Sequence, residues 1–253
     1  MTGGPGERPP SGDAAGTTVD TLLRGRVALV QPARGFRVSL DPILLAAFLA
    51  PPFGRFLDVG CGAGALSFLL LEADARASGV AVEIQPRLAE LAVAGRDRNG
   101  LGDRLVVVAA DARRRSPLIG AASFDLVASN PPYRPLAEGR PSPHAERAVA
   151  NHEVTLTLAE WLDVAARAVK PGGRVGVVYP AGRAAELLAG LQAHALIPGR
   201  LRPVYPRTGQ PATRVLVEAQ PRSRRPLRVE PPLVVHDGAG YTPELRKILG
   251  EDH

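Results

Sequence analysis

The middle of the chain alternates short apolar runs with longer stretches in which apolar residues recur three or four positions apart. The apolar runs are rich in Val, Leu and Phe and predict strands at residues 56–59, 79–82, 105–109, 124–129 and 174–179. The longer stretches predict helices, for example around Leu88, Leu91 and Ala92. Because strands that alternate with helices are typical of βαβ units, the pattern predicts an α/β, Rossmann-like fold with a doubly wound, mostly parallel sheet.

The N-terminal segment has a different pattern. Residues 1–18 consist largely of Gly, Pro, Ser and Thr and contain little to bury, so we expect a disordered tail. Residues 19–54 predict a small cap with two short strands, at 26–30 and 35–40. An apolar helix should follow from Asp41, which offers an N-cap directly before a first-turn proline.

The C-terminal third predicts a hairpin and then an extension. Apolar runs at residues 201–205 and 215–219 predict two strands that bring the sheet to seven and end a domain over residues 55–219. Residues 220–253 are first rich in Pro and Arg and then predict a short helix after Thr242. We therefore interpret them as an extension of the domain.

Composition narrows the class of protein. Of the 253 residues, 45% are hydrophobic, which is enough for a packed core. Cys61 is the only cysteine, so we expect no internal disulfide, no zinc cluster and a reducing cytoplasm. No segment approaches the roughly 20 apolar residues of a membrane span, and we expect no membrane partner. The net charge of +6 favours a polyanionic partner, although the excess of Arg, Ala, Gly and Pro is equally typical of GC-rich codons.

A glycine-rich turn follows the first strand of the predicted sheet. The string DVGCGAG at residues 58–64 lies between that strand and a predicted helix. Glycines at such a turn let the backbone bend sharply and approach a ligand where a Cβ would clash. Gly60 and Gly62, with Ala65, also satisfy the dinucleotide pattern. The turn alone is therefore compatible with NAD or FAD as well as with other adenosine cofactors.

Acidic residues stand at the ends of three successive predicted strands, where ligands bind in open parallel sheets. They are Asp58, Glu83 and Asp111. Glu83 is placed to accept hydrogen bonds from both hydroxyls of a ribose, and Asp111 from the exocyclic amine of an adenine. An NAD site does not need the second of these interactions, so the three acids favour a different adenosine cofactor.

The string NPPY directly follows the fourth predicted strand, as Asn130, Pro131, Pro132 and Tyr133. An amine conjugated to a ring is a poor nucleophile because its lone pair is delocalised. If the Asn130 amide oxygen and the Pro131 carbonyl each accept one amine hydrogen, the nitrogen can turn its lone pair towards a methyl donor. The prolines stiffen the loop and remove backbone donors, and Tyr133 offers a face on which a base can stack.

Taken together, DVGCGAG and NPPY resemble the class I, amino-directed methyltransferases that use S-adenosyl-L-methionine, over residues 55–219. Around the cap helix, QP at 31–32, GFRVSLD at 35–41 and LLA at 44–46 resemble the bacterial tRNA (adenine-N6) methyltransferases that modify valine tRNA beside its anticodon. The pair HE at 152–153 favours the same family. The resemblance implies a cytoplasmic enzyme that forms N6-methyladenosine in tRNA.

That resemblance also assigns the candidate site residues. It implies a target-amine site at Asn130, Pro131, Pro132 and Tyr133. It implies cofactor binding by Asp41, Asp58, Gly60, Gly62, Gly64, Glu83, Asp111 and Asn130. Phe36 and Arg37, with Tyr133, would bind the substrate. Apart from the resemblance, four arginines lie in the Pro-rich stretch that we expect to be flexible, where they would either hold tRNA phosphates or form a solvated tail; they are Arg222, Arg224, Arg225 and Arg228. No metal is implied, and the oligomeric state stays open.

Several alternatives stay open on sequence alone. Release-factor glutamine methyltransferases also methylate a delocalised amine, but they carry a helical domain before the glycine turn for which this chain has little room. Ribosomal guanine-N2 methyltransferases often duplicate the domain, and DNA adenine methyltransferases usually add a recognition domain. An NAD-dependent oxidoreductase leaves Asp111 and NPPY without a role. A non-catalytic RNA-binding module explains the arginines but not the strand-end acids.

Overall fold

A computed structural model describes residues 16–33, 38–131 and 156–251 of the chain. It begins with an antiparallel hairpin of β1 (Thr17–Leu22) and β2 (Val27–Pro32), which forms a small sheet of its own. The strand predicted at 26–30 is therefore present, but its partner precedes it. The strand predicted at 35–40 is wrong for residues 38–40, which lie in no strand, while residues 34–37 are outside the described ranges. The hairpin begins within the segment that we expected to be a tail.

Five parallel strands form the centre of the main sheet, in the order β5-β4-β3-β6-β7. Their bounds are Arg55–Val59 for β3, Ser78–Glu83 for β4, Leu105–Ala109 for β5, Phe124–Ser129 for β6 and Val169–Pro180 for β7. The order reverses between β3 and β6, which makes the sheet doubly wound. The α/β fold expected from the sequence is confirmed.

Helices cover both faces of this sheet. In chain order they are α1 (Asp41–Leu49), α2 (Ala65–Ala73), α3 (Pro86–Arg98), α4 (Leu158–Ala168) and α5 (Ala184–Ala193). One apolar core lies between the sheet and α1, α2 and the first hairpin, and includes Leu45, Phe56 and Phe68. The other lies beneath α4 and α5 and includes Trp161 and Leu187. Each face thus buries a continuous apolar layer, as a two-sided α/β sheet requires.

The predicted closing hairpin is present as β8 (Leu196–Arg207) and β9 (Arg214–Pro221), with β9 antiparallel to β7. The sheet does not stop at seven strands, however, because the extension continues it to ten. Short strands β10 (Arg228–Val229) and β11 (Leu233–Asp237) pair in parallel with β8, and β12 (Gly240–Tyr241) pairs with β11.

The extension is part of the same folded unit. Leu233 and Val235 of β11 are buried in the core beneath α1. Helix α6 (Pro243–Ile248) adds Leu245 to that core, and the Thr242 hydroxyl caps it by accepting a hydrogen bond from the Leu245 amide at 3.3 Å. Burial of these apolar side chains explains why the chain adds strands here rather than a loose tail.

Strand direction determines which loops meet. The parallel strands β3 to β7 all end at one edge of the sheet, which we call the upper edge. Because Pro180 pairs with Arg214 and Pro221 with Leu196, β9 begins at the upper edge and β8 ends there. The opposite, lower edge receives the segment after Pro221. No helix in the described parts of the chain is long and apolar enough to cross a membrane.

Candidate active site

The glycine turn between β3 and α2 keeps space open at the upper edge. Gly60 and Gly62 have φ angles of 73° and 56°, which lie in the left-handed region that favours glycine. A Cβ placed on either residue would meet no atom within 4 Å. Glycine is thus required here by backbone conformation, and the space beside it can admit a ligand.

Gly64 differs from the other two glycines. It has a φ of 89°, but a Cβ there would lie 2.6 Å from the Phe68 ring. Its absent side chain therefore lets the ring of α2 pack against the turn. This geometry supports a packing role for Gly64 beside the ligand space.

Glu83 ties the glycine turn to the next loop. Its side chain ends β4 and is only 5% exposed. One carboxylate oxygen accepts a hydrogen bond from the Gly62 amide at 2.9 Å, and the other accepts from the Gln85 amide at 2.9 Å. Each carboxylate oxygen can accept a second hydrogen bond. Glu83 can therefore hold the turn and still accept from a pair of ribose hydroxyls.

Asp58 lies beneath the turn and is almost fully buried. Its carboxylate accepts a hydrogen bond from the Ser67 hydroxyl of α2 at 2.7 Å. Burial raises the pKa of Asp58 to about 7, and the nearby Glu83 charge adds to this, while the Ser67 hydrogen bonds oppose it. The site thus contains a buried carboxyl group that titrates near neutral pH.

Asp111 follows β5 by two residues and is held by an arginine that the sequence had not singled out. Arg113 donates from Nε to Oδ1 at 2.9 Å and from Nη2 to Oδ2 at 2.8 Å, and its amide donates to Oδ1 at 3.0 Å. These hydrogen bonds from Arg113 lower the pKa of Asp111. Nothing in the run DARRR distinguishes Arg113 from its two arginine neighbours, so sequence reasoning could not find this pair.

Arg113 also connects the site to α4. Its Nη1 donates to Glu160 at 3.0 Å, and Glu160 forms a capping box with Thr157 at the start of that helix. An arginine held by two carboxylates has a fixed guanidinium plane. The helix that follows the NPPY loop is thereby joined to the end of β5.

A narrow cleft runs between the ends of β3, β4 and β5. Its lining is largely apolar and includes two charged residues, Asp111 and Arg113. The other lining residues are Val59, Gly60, Val82, Ile84, Ala110, Ala112 and Leu156. Apolar walls with a few polar groups suit a flat base. A larger depression near Arg167 and residues 115–121 lies by the amino end of β6, away from these strand ends.

Asn130 and Pro131 lie directly beside this cleft in the strand order. β6 is the neighbour of β3, and the Ser129 hydroxyl at its end donates to the Val59 carbonyl at 2.7 Å. Asn130, which is half-buried, follows immediately, and Pro131 is buried. The predicted Pro132, Tyr133, Phe36 and Arg37, and the pair at 152–153, lie outside the described residues.

Asp41 occupies a different part of the upper edge. It is the first residue of α1, and its carboxylate accepts a hydrogen bond from Nε of Arg214 at 3.1 Å. Arg214 begins β9, so this ion pair joins the cap helix to the hairpin. The ends of four neighbouring strands, β5, β4, β3 and β6, thus bring together the strand-end acids, the glycine turn and Asn130. Asp41 is instead bound to Arg214 of β9, which lies two strands beyond β6.

Comparison with known proteins agrees with this geometry. Residues 41–188 match the family model of the methyltransferase small domain. The chain is 30% identical to a tRNA1(Val) (adenine(37)-N6)-methyltransferase from Porphyromonas gingivalis, over 88% of this chain and 91% of that protein. It is 28% identical to a protein of the same name from Vibrio cholerae, over 82% and 84% of the two chains.

The fold also has a solved counterpart. A crystal structure of a predicted O-methyltransferase, protein Atu636 from Agrobacterium tumefaciens, aligns with a TM-score of 0.67 at 24% identity. The alignment covers 83% of this chain and 96% of that protein. At this level of identity the likeness establishes the fold alone.

Proposed function

The chain belongs to the methyltransferase small-domain family, among the tRNA1(Val) (adenine(37)-N6)-methyltransferases, and from this premise we propose that it methylates N6 of an adenine in tRNA. The family makes it a methyltransferase whose methyl donor is S-adenosyl-L-methionine. The observation that carries the assignment of a site is the arrangement at the upper edge. Asn130 directly follows β6, the glycine turn follows the adjacent strand β3, and Glu83 is the last residue of the next strand, β4.

The residues present fit the cofactor. Gly60 and Gly62 border space that a Cβ would enter, and Glu83 keeps hydrogen-bonding capacity towards it. The apolar cleft beyond suits an adenine ring, with Asp111 in its lining to accept from the ring amine. We assign cofactor binding to these residues with Asp58 as the buried support of the turn. Asp41 and Gly64 would contribute at its margins.

S-adenosyl-L-methionine supplies a methyl group on a positively charged sulfur. The chain has to activate the amine that receives it. We propose that the Asn130 amide oxygen and the Pro131 carbonyl accept the two amine hydrogens, which frees the nitrogen lone pair. Held in this way, the nitrogen would take up the methyl group that the bound donor supplies and would release one amine proton to water. Pro132 would stiffen this loop.

The base itself needs a holding surface. We assign that role to Tyr133, by stacking, with Phe36 and Arg37 at the substrate entrance. A tRNA substrate also implies that the enzyme acts in the cytoplasm, where the single cysteine, Cys61, remains a thiol.

The test compares three substrates with labelled methyl donor: tRNA, a ribosomal RNA fragment and a release-factor peptide. Nucleoside mass spectrometry should find N6-methyladenosine in tRNA. Labelled N2-methylguanosine in the ribosomal fragment would indicate a guanine-N2 methyltransferase instead. Label only in the peptide would indicate a release-factor glutamine methyltransferase.

Asn130→Ala tests the mechanism on the same substrate. An interaction made mainly in the transition state should appear in kcat, so we expect a loss of roughly 100-fold or more with unchanged cofactor affinity. Tyr133→Ala should instead raise KM for RNA while Tyr133→Phe should not, because stacking needs only the ring. Full turnover by Asn130→Ala would refute the role of Asn130.

A further inference from the structure

The extension brings a second group of side chains to the upper edge. β11 runs parallel to β8, with His236 opposite Arg207, so both strands end at the edge that carries Asn130. Strand order separates β6 from β8 by three strand spacings and from β11 by four. At 4.7–4.9 Å per spacing this is about 14–20 Å across the strands. The pairing places Leu201 of β8 level with Ser129, so Arg207 also lies about 17 Å beyond the level of Asn130 along the strand direction. The two together give a separation of about 22–26 Å.

The side chains concerned share one face of the outer strands. Tyr205 and Arg207 are two residues apart on β8, and residues paired across a sheet project to the same side. His236 therefore lies on the face of Arg207. Its ring stacks on Tyr241 of β12, with centroids 5.2 Å apart and planes 30° apart. We call Tyr205, Arg207, His236 and Tyr241 the outer patch.

Charge distinguishes Arg207 from the arginines deeper in these strands. Arg200 is paired with Glu230 at 2.8 Å, Arg202 with Glu244 at 2.6 Å and Arg214 with Asp41 at 3.1 Å. Arg207 is exposed and donates to the Gly238 carbonyl, and no carboxylate lies within ion-pair distance of it in the parts of the chain that are described. Asp237 alternates to the other face of β11.

We propose that the outer patch binds the substrate RNA strand at a distance from the target adenine, with Arg207 on a phosphate and the His236–Tyr241 pair against a base or ribose. An unpaired guanidinium beside aromatic rings is the combination that holds a nucleic-acid strand without reading its sequence. At about 3.4 Å per stacked nucleotide, 22–26 Å corresponds to roughly six to eight nucleotides. The proposal rests on the proposed function.

The four arginines of the Pro-rich segment occupy a different place. Arg222 follows Pro221 at the lower edge, and Arg224 and Arg225 come directly after it. Arg228 lies in β10, where it stands opposite Arg200 of β8, and its guanidinium forms an ion pair with Glu230 at 2.8 Å. The structure therefore favours the outer patch over this segment for RNA that reaches Asn130.

The test varies both the protein and the length of the RNA. Arg207→Gln and His236→Ala are compared with the wild type on an RNA hairpin that carries the target adenine in its loop. The same proteins are compared on a pentanucleotide with that adenine at its centre. Each substitution should raise KM for the hairpin by about tenfold and leave KM for the pentanucleotide unchanged. Arg207→Gln should also lower the salt slope of hairpin binding by about 0.7–0.9.

Matched variants exclude trivial explanations. Arg98→Gln removes one exposed charge at the end of α3 on the lower edge and should change neither KM nor the salt slope. Arg207→Lys and His236→Phe should restore most of the binding. Thermal unfolding checks that the substituted proteins fold.

The outcomes separate this inference from the proposed function. Equal effects on both RNAs, or none on the hairpin, would overturn the outer patch while methylation of tRNA stands. A double variant, Arg224→Gln with Arg225→Gln, is measured in the same way. If only this variant lowers the salt slope, the RNA binds at the lower edge and the outer-patch proposal is overturned. A wild-type protein that methylates neither of these RNAs nor tRNA would refute the proposed function, and the outer patch with it.

Discussion

Replacing Asp58 by Asn should stabilise the cofactor-free protein at neutral and alkaline pH. Asp58 is almost fully buried, and burial raises its pKa from the usual 3.8 to about 7. A raised carboxyl pKa means that the folded protein holds a proton that the unfolded chain has already lost. Ionisation of Asp58 therefore lowers the free energy of unfolding. The loss is absent below pH 3.8, grows between pH 3.8 and 7, and stays constant above pH 7.

The size of the effect follows from the two pKa values. One pKa unit corresponds to 1.36 kcal/mol, so the full penalty is about 4 kcal/mol above pH 7 and about 2 kcal/mol at pH 5. An asparagine keeps an oxygen that can accept the Ser67 hydroxyl and carries no charge to desolvate. The gain in unfolding free energy of Asp58→Asn over the wild type should therefore grow by about 2–3 kcal/mol from pH 5 to pH 8.

Urea unfolding of both proteins at several pH values measures this difference directly. Asp125→Asn is the matched control. Partial burial acts to raise the pKa of Asp125, but the hydrogen bonds from Lys170 and the Arg55 amide outweigh it, and the pKa is lowered overall. The effect of Asp125→Asn on stability should stay constant between pH 5 and 8, since the group is ionised in both states there. A difference between Asp58→Asn and the wild type that does not vary with pH would mean that Asp58 is not desolvated as described.

Three further predictions concern the cofactor site. Glu83→Gln should weaken S-adenosyl-L-methionine binding by ~1–3 kcal/mol, measured by calorimetry, because it weakens charged hydrogen bonds; unchanged affinity would remove Glu83 from the site. Arg113→Gln should weaken the same binding by about tenfold, because it releases Asp111 and the start of α4, and equal affinity would show that the pair acts only in packing. Gly62→Ala should cost about 1–2 kcal/mol in urea unfolding because its φ is 56°, and it should weaken cofactor binding by more than that, since its Cβ would enter the ligand space. An effect on stability alone would place the cofactor elsewhere.

The central sheet could be predicted because its strands are buried on both faces. Such strands are largely apolar runs, and the predicted residues 56–59 and 79–82 lie within β3 and β4, where all of them are buried. The outer elements lack that signal. In β1, TTVDTL, polar residues predominate and Val19 is exposed, so local pattern favoured the apolar segment after β2 as its partner.

The candidate site divides in the same way. Gly60, Gly62 and Glu83 could be found because strand ends and left-handed turns restrict which residues fit there. The partners of two other acids could not be found in this way. Asp111 is bound by Arg113, two residues along the chain, which no pattern distinguishes from its arginine neighbours. Asp41 is bound by Arg214, which is 173 residues away. Long-range ion pairs depend on how helices pack, which single-residue patterns do not encode.

The position of each arginine bears on RNA binding more than the net charge of the chain does. Arginines are spread along the whole chain, and composition alone assigned the partner to the segment after Pro221. Pairing registers instead carry that segment to the lower edge and carry Arg207 and His236 to the edge of Asn130. Acids neutralise Arg200 and Arg202, which lie on the other face of β8, whereas Arg207 at the end of that strand is exposed. Because phosphate attraction falls off within about 10 Å at ordinary ionic strength, the position of an unpaired guanidinium, rather than the net charge, determines where an RNA strand can bind.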